Sequence, residues 1–539
     1  MPDTMMPAET LDAVIIGAGF SGMYQLHLLR DKLGLNVRVV EMGEGVGGTW
    51  YWNRYPGARC DSESHSYCYM FSKELQQEWE WSERYPQQPE IIRYMNWVAD
   101  KLDLKRSIRF GTKVTGARYD DAANLWRVST AAGESFTATY LITAVGCLST
   151  ANVPKIPGLE SFEGDWYHTG EWPHEGVDFT GKRVGQIGTG STGIQAVPVI
   201  AAQAKHLTVF QRTANYSVPA HNAPLTPEFR QWVRDNYEYL RQVMTSNTNG
   251  HPFTIADRSA LSVSEAEREA LFEKAWEKGG LQFRATFGDI LTSLEANATA
   301  AEFIKRKIRS IVKDPATAEL LADIDHPYAA KRPPIDSHYF EAFNRDNVTL
   351  VDVRNAPIER ITPRGIVTGG REYEVDIIVF ATGFDAMTGP LLRLNIEGRG
   401  GLPLREAWAA GPRSHLGLQV PGFPNMFTIT GPGSPSVLCN MPVAIEQHAE
   451  WIADCIAHLR AHGIARMEAS EAAADSWVAE VNRAADATLL PQASSSWYLG
   501  ANVPGKPRVF MPYAGGMAHY AKICADVAAK GYEGFTLTA

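Results

Sequence analysis

Paired cysteines are what this chain most plainly lacks. Its six cysteines, Cys60, Cys68, Cys147, Cys439, Cys455 and Cys524, are dispersed, with no CxxC pair and no spacing that suggests a metal site. The close redox pair of a flavin disulfide reductase is therefore missing, and free thiols in a reducing compartment are the expectation. A basic excess is missing too. The 51 Lys and Arg stand against 61 Asp and Glu, for a net charge of -10, which argues against a general affinity for phosphate backbones and for nucleic acid as a partner. No uninterrupted apolar stretch is long enough to cross a bilayer. A secretory signal is not expected: the first basic residue is Arg30, and the first apolar run, from Ala13, leads straight into a glycine motif. A cytoplasmic protein without a membrane partner is expected, with an N-terminus that belongs to the fold.

What is present is a repeated local grammar. An apolar strand over residues 13–16 runs into Gly17-Ala18-Gly19-Phe20-Ser21-Gly22, then a helix over 23–30, then a strand over 36–42 that carries Glu41 near its end. The pattern returns at 183–187, with Gly188-Thr189-Gly190-Ser191-Thr192-Gly193, a helix from Ile194 and a strand over 207–210 leading into Gln211, Arg212 and Thr213. Such βαβ units with glycine turns are dinucleotide-binding folds. The chain of 539 residues, 45% of them hydrophobic, suits several domains with sizeable cores. The fold class is α/β, two Rossmann-like dinucleotide-binding domains with a helical insertion. The expected division is a first domain over 1–147 completed by 384–539, a second over 148–224 completed by 331–383, and helices over 225–330. Strands over 140–146 and 377–383 mark the crossings. A helix is expected over 441–460, after the loop Gly431 to Ser436, and a mobile loop near 491–506.

The glycines of GxGxxG each meet a steric demand, the first for a tight turn, the second for close approach to a pyrophosphate, the third for close packing of helix on strand. The residue ending the second strand reports the nucleotide. A carboxylate there accepts hydrogen bonds from ribose hydroxyls, and a cation there favours a 2′-phosphate. Glu41 and Arg212 stand the same number of positions after Gly17 and Gly188. FAD at the first site and NADPH at the second is the simplest assignment. The alternative, ordinary strand-end charges facing water, is weakened by the matched offsets.

Two further patterns are more specific. Phe162-x-Gly164-x-x-x-His168-x-x-x-Trp172-Pro173 precedes the second glycine motif, and Gly47-Gly48-x-Trp50-x-x-x-x-Tyr55-Pro56-Gly57-x-x-x-Asp61 follows the first. Together they resemble the type I Baeyer-Villiger monooxygenases, and Gly431 to Ser436, Trp497 to Lys506 and Ala381 to Ala386 resemble most the branch of that family acting on phenylacetone and steroids. The resemblance implies that NADPH reduces FAD, that oxygen adds to give a C4a-peroxyflavin, and that a ketone (aryl, bulky or cyclic) becomes an ester or lactone through a Criegee-type adduct. It implies Arg332 as the cation that stabilises the anionic oxidant and the oxyanion, with Asp61 orienting it. On the flavin side it points to Ser21, Glu41, Gly48, Thr49, Trp50, Tyr51, Trp52, Asp61, Tyr67, Val114 and Met441, beside Gly17, Gly19 and Gly22. On the NADPH side it points to Arg59, Thr189, Gly190, Ser191, Thr192, Gly193, Gln195, Arg212, Thr213, Lys331, Arg332 and Trp497. Ser62, Cys147, Leu148, Val437, Leu438 and Met441 are expected around the ketone. Phe162, Gly164, His168 and Trp172 form the linker signature and are expected to couple domains. The partners implied are a small ketone and dioxygen, acting on a monomer. Rival readings are an oxygenase that attacks sulfide or amine nitrogen with an electrophilic oxidant, a simple electron-transfer flavoprotein, and a nucleotide-sensing module without turnover.

Overall fold

The computed structural model describes residues 9–539. The first sheet is built on β1, Glu9–Ile16, which lies parallel to β2, Val37–Val40, on one side and to Ser135–Thr143 on the other. Its order runs Ile396–Glu397, Val114–Asp120, Leu125–Thr130, Ser135–Thr143, β1, β2, Ile108–Arg109, and Met426–Thr428 also pairs with Ser135–Thr143. The apolar run along β1 is explained by burial of both faces. Ala13 and Ile15 join Met23, Ala444 and Ile452 in one core, while Leu11, Val14 and Ile16 join Val114, Trp126 and Met426 in another. Segment 384–539 therefore supplies two strands of this sheet and the covering helix Met441–Ala461.

The glycine turn after β1 opens α1, Phe20–Leu26, earlier than the sequence pattern suggested, and a π turn over His27–Lys32 prolongs it. The second sheet is wholly parallel, in the order Val348–Asp352, β4 (His206–Gln211), β3 (Arg183–Ile187), Ile377–Phe380, Asp165–His168. Helix α2, Ser191–Gln203, follows β3. The strand Asp165–His168 corrects the linker reading. Part of that signature is an edge strand paired with Ile377–Phe380.

The two crossings run side by side. Ala151 bridges Phe384, Asn152 N donates to Gly383 O at 3.0 Å, and Asp385 N donates to Thr150 O at 2.9 Å. The residues over 225–330 form helices whose starts carry Thr226, Ser264, Ser293 and Asp314 as N-caps, each side chain accepting a backbone N–H. This segment feeds two cores: Val233, Tyr237, Leu240 and Met244 pack with the first sheet's helices, while Phe272, Phe283, Phe303 and Ile304 pack with Val184 and Leu207 of the second. The segment near 491–506, expected to be mobile, lies docked, with Asn502 Nδ2 donating to Phe384 O at 2.7 Å and Lys506 Nζ to Asp385 Oδ1 at 2.6 Å. Among the described residues no helix is long and apolar enough to cross a membrane, and no His, Cys, Asp and Glu cluster could hold a metal ion.

Candidate active site

Both glycine turns solve one steric problem in one way. Gly17 and Gly188 sit at φ +104° and +112°, and a Cβ there would run into the carbonyl oxygens of Ala144 and Ala381, at the ends of the neighbouring strands. A Cβ on Gly22 or Gly193 would overlap the carbonyl of Gly17 or Gly188. The helices then begin at Gly19 and Gly190, neither of which caps with a side chain, so first-turn N–H groups are left for an anion. Ser21, Ser191 and Thr192 lie in those first turns. At Gly190 an added Cβ would meet open space, whereas at Gly19 it would press on Gly48. The first turn is thus roofed by the Gly47-Gly48 segment, and the second is open.

The strand-end residues differ as strongly. Glu41 is buried, and its carboxylate accepts from Ala18 N and Gly43 N, each at 2.7 Å. Burial pushes its pKa up, and the backbone N–H groups oppose that. Arg212 is exposed. Beside it, Thr189 Oγ1 donates to Thr213 O at 2.9 Å. Lys331 is half-buried, its pKa lowered by burial and by the neighbouring Arg212 and Arg354, with Asp325 opposing. Arg354, which sequence reading missed, donates to Arg212 O at 3.2 Å and to Asp323 Oδ2 at 2.9 Å. Three cations therefore gather where a 2′-phosphate is expected.

The GGxW segment links the cradles. Thr49, Trp50, Tyr51 and Trp52 form a short helix in which Trp50 Nε1 donates to Tyr67 OH at 3.1 Å and Tyr51 OH accepts from Glu44 N at 3.0 Å. Further on, Tyr55 OH donates to Gln195 Oε1 at 2.6 Å, and Gln195 Nε2 donates to Arg59 O at 3.1 Å. The chain that roofs the first site is thereby bonded to the helix of the second. Val114 stands apart from this group, since its side chain joins the core cluster on the other face of the first sheet.

At the junction lies Arg332. Its Nε donates to Asp61 Oδ2 at 3.0 Å and its Nη1 to Val437 O at 3.3 Å. The guanidinium side chain is 30% exposed and the Asp61 side chain 11%. Asp61 raises the pKa of Arg332 against the opposing effect of burial, so the cation is permanent. Remaining guanidinium donors are left for a ligand. Cys147, Leu148, Val437, Leu438, Met441 and Trp497 gather in one apolar cluster with Met387, Tyr498, Phe510 and Met511. Ser62 is buried next to Asp61 but lies outside that cluster. Tyr498, beside Trp497, carries no signal in the sequence; it is a buried member of that cluster and lies within electrostatic reach of Arg332.

The Phe162 to Trp172 signature sits elsewhere. His168 Nδ1 accepts from Gly170 N at 3.0 Å, and its ring meets Phe384 edge-on at 6.1 Å. Burial pushes its pKa down to about 4, so the ring is neutral. A Cβ on Gly164 would strike Asp376 O and the Phe162 ring, and Trp172 is buried between Tyr167 and Phe179. These residues fasten the edge strand and the crossing at Phe384.

Comparison with known proteins agrees with this arrangement. A family model described as flavin-binding monooxygenase-like matches residues 12–221. A Baeyer-Villiger monooxygenase of Pseudooceanicola batsensis is 48% identical, over 98% of this chain and 97% of its own length. The structure of an oxidized steroid monooxygenase bound to NADP is 52% identical with a TM-score of 0.93, covering 98% of this chain and 99% of that one. That of OTEMO in complex with FAD and NADP is 43% identical with a TM-score of 0.95, covering 98% and 100%. Fold and site define a flavin-binding monooxygenase with a second dinucleotide cradle. Within that class the chain belongs to the Baeyer-Villiger monooxygenase family.

Proposed function

We propose that this chain is an FAD-containing, NADPH-dependent monooxygenase that converts a ketone into an ester or lactone by inserting one atom of dioxygen beside the carbonyl. The observation that supports this reading is the Asp61–Arg332 pair, bonded through Val437 O to the apolar cluster. The residues present fit the two cofactors. Gly17, Gly19, Ser21 and Gly22 would cradle the FAD pyrophosphate, Glu41 would take the bare ribose, and Gly48, Thr49, Trp50, Tyr51, Trp52, Tyr67 and Met441 would line the flavin, while the side chain of Val114 belongs to the core behind the sheet. Gly190, Ser191, Thr192 and Gly193 would take the NADPH pyrophosphate, Arg59 and Gln195 would support it, and Arg212, Thr213 and Lys331 would hold the 2′-phosphate. Bound FAD, reduced by NADPH, supplies the electrons that activate dioxygen. Arg332 holds negative charge on the attacking oxygen and then on the ketone oxygen, in a site whose dry walls strengthen the interaction. Asp61 fixes the direction of the guanidinium. Cys147, Leu148, Val437, Leu438 and Met441 would exclude water around an aryl, bulky or cyclic ketone, and Trp497, packed on the same cluster, would reach the ribose on the nicotinamide side.

The enzyme works as a cytoplasmic monomer on small molecules, without nucleic acid. The test is product analysis by mass after purified yellow protein meets NADPH, air and a panel of linear, aryl and cyclic ketones. Ester or lactone is the expected outcome. NADPH consumption that yields only hydrogen peroxide from ketones, but sulfoxide from a sulfide, would replace this reading with that of an electrophilic oxygenase.

A further inference from the structure

A second guanidinium faces the same region as Arg332. Arg284 lies in the short turn Leu281–Ala285, whose residues Leu281, Phe283 and Ala285 are buried. Phe283 packs edge-on against Tyr328 at 5.7 Å between ring centroids, and Tyr328 leads into the Lys331–Arg332 segment. From the opposite side Asn440 N donates to Asn249 O at 2.8 Å, and Gly250 lies against Asn440 and Val443, which brings the buried His251 to the same place. Arg284 is thereby within electrostatic reach of Tyr328, Arg332, Tyr498 and Cys439. None of these is a carboxylate. The side chain is half-buried, and among the described residues it makes no hydrogen bond and no ion pair. Its nitrogens are nevertheless not sealed from solvent.

The charges do not balance. Arg332 has Asp61, and burial together with Arg332 depresses the pKa of Arg284. His251 is no counterion: burial and both arginines keep its pKa well below the ordinary histidine value. A half-buried cation with no partner carries an unfavourable desolvation cost, which an anion would offset. The reaction chemistry occupies Arg332, and the 2′-phosphate has Arg212, Lys331 and Arg354, none of which is among the groups that press on Arg284. The planar fork of an arginine matches a carboxylate in a bidentate fashion.

Building on the Baeyer-Villiger reading, we propose that Arg284 is a specificity-determining residue that binds a carboxylate carried by the substrate, so that the preferred substrates are keto acids. Arg332, held by Asp61 and Val437 O, stays with the reacting oxygens while Arg284 takes the remote charge.

The test compares each keto acid with its own methyl ester, since the ketone is then the same. Suitable probes are (2-oxocyclohexyl)acetate, 4-acetylphenylacetate and methyl-ketone acids of increasing chain length, assayed with the yellow holoenzyme, NADPH and air. The readout is the acid-to-ester ratio of kcat/KM within each enzyme. Wild type is expected to favour the acid of at least one pair about tenfold or more, chiefly through KM. Arg284→Leu should bring that ratio to one or below, and Arg284→Lys should keep part of it. Ester preference across the whole series in wild type, or an unchanged ratio in Arg284→Leu, overturns the proposal while leaving the monooxygenase reading intact. Failure of every ketone, neutral or acidic, to give product overturns both.

Discussion

The two nucleotide cradles share their backbone and differ in depth. Gly17 and Gly188 take almost the same φ, and an added Cβ on either would strike an equivalent carbonyl, that of Ala144 or Ala381. Yet the first cradle lies under Gly48 and ends on a buried Glu41, while the second opens at Gly190 and ends on an exposed Arg212. Burial slows exchange, and exposure permits it. On the proposed assignment, FAD in the first cradle stays resident and NADPH in the second exchanges. The same backbone thus gives a roofed cradle and an open one, and the Tyr55–Gln195 bond joins the two.

The sharpest way to break the comparison is to fill one glycine in each cradle. In Gly22→Ala the new methyl overlaps Gly17 O, and yellow protein should not be recovered. Gly190→Ala meets no protein atom, but its methyl enters the space assigned to the NADPH pyrophosphate, so flavin content should match wild type while the KM for NADPH rises by about tenfold or more. The flavin-to-protein absorbance ratio reads both, and loss of flavin from Gly190→Ala would erase the distinction. Next comes the junction: Arg332→Ala should lower ester formation by about 100-fold or more while the protein stays yellow, as product yield per flavin will show. Smaller again, Arg212→Glu should reduce kcat/KM for NADPH by about 10- to 100-fold and narrow the preference over NADH, whereas Glu41→Gln should speed flavin release and leave the KM for NADPH unchanged. Exchange of these two phenotypes would reverse the cofactor assignment.

The smallest effect concerns pH and the first fold alone. Glu446, on the helix packed against α1, has its pKa pushed up to about 8, first by burial and further by Glu450, against the N–H groups of Met70 and Phe71. Its folded-state pKa lies above the ordinary value of 4.5, so the folded form keeps a proton that the unfolded form sheds. The stability it contributes is complete below that ordinary value and is lost as pH rises through about 8. Glu446→Gln should therefore gain in Tm relative to wild type between pH 5 and pH 8. A constant difference across that range would show that Glu446 does not titrate there.

How much of this was legible in the sequence depends on how local each constraint is. The glycine turns were readable because their steric conflict arises within one βαβ unit, and Glu41 and Arg212 because strand-end offsets are fixed by that unit. Some strand limits shifted by several residues: those expected over 13–16, 140–146 and 377–383 are Glu9–Ile16, Ser135–Thr143 and Ile377–Phe380, since pairing along the ladders, not local apolar runs, sets where they start and stop. The edge strand Asp165–His168 was hidden because its partner, Ile377–Phe380, is far along the chain. Asp61 and Arg332 stood out only by family likeness; no pattern of spacing could bring them to 3.0 Å. Arg354, Tyr498 and Arg284 left no local signal at all. Each looks like an ordinary surface or core residue until the insertion, the crossing and the docked loop fold onto one another.

Whether Arg332 commits dioxygen to the ketone is read most directly from the fate of isotopically labelled dioxygen when wild type and Arg332→Ala, both yellow, oxidise NADPH in the presence of a ketone. One heavy oxygen is expected in the ester or lactone from wild type, and NADPH consumption without labelled product from Arg332→Ala. Unlabelled ester from wild type, or equal labelled product from the variant, would contradict that role.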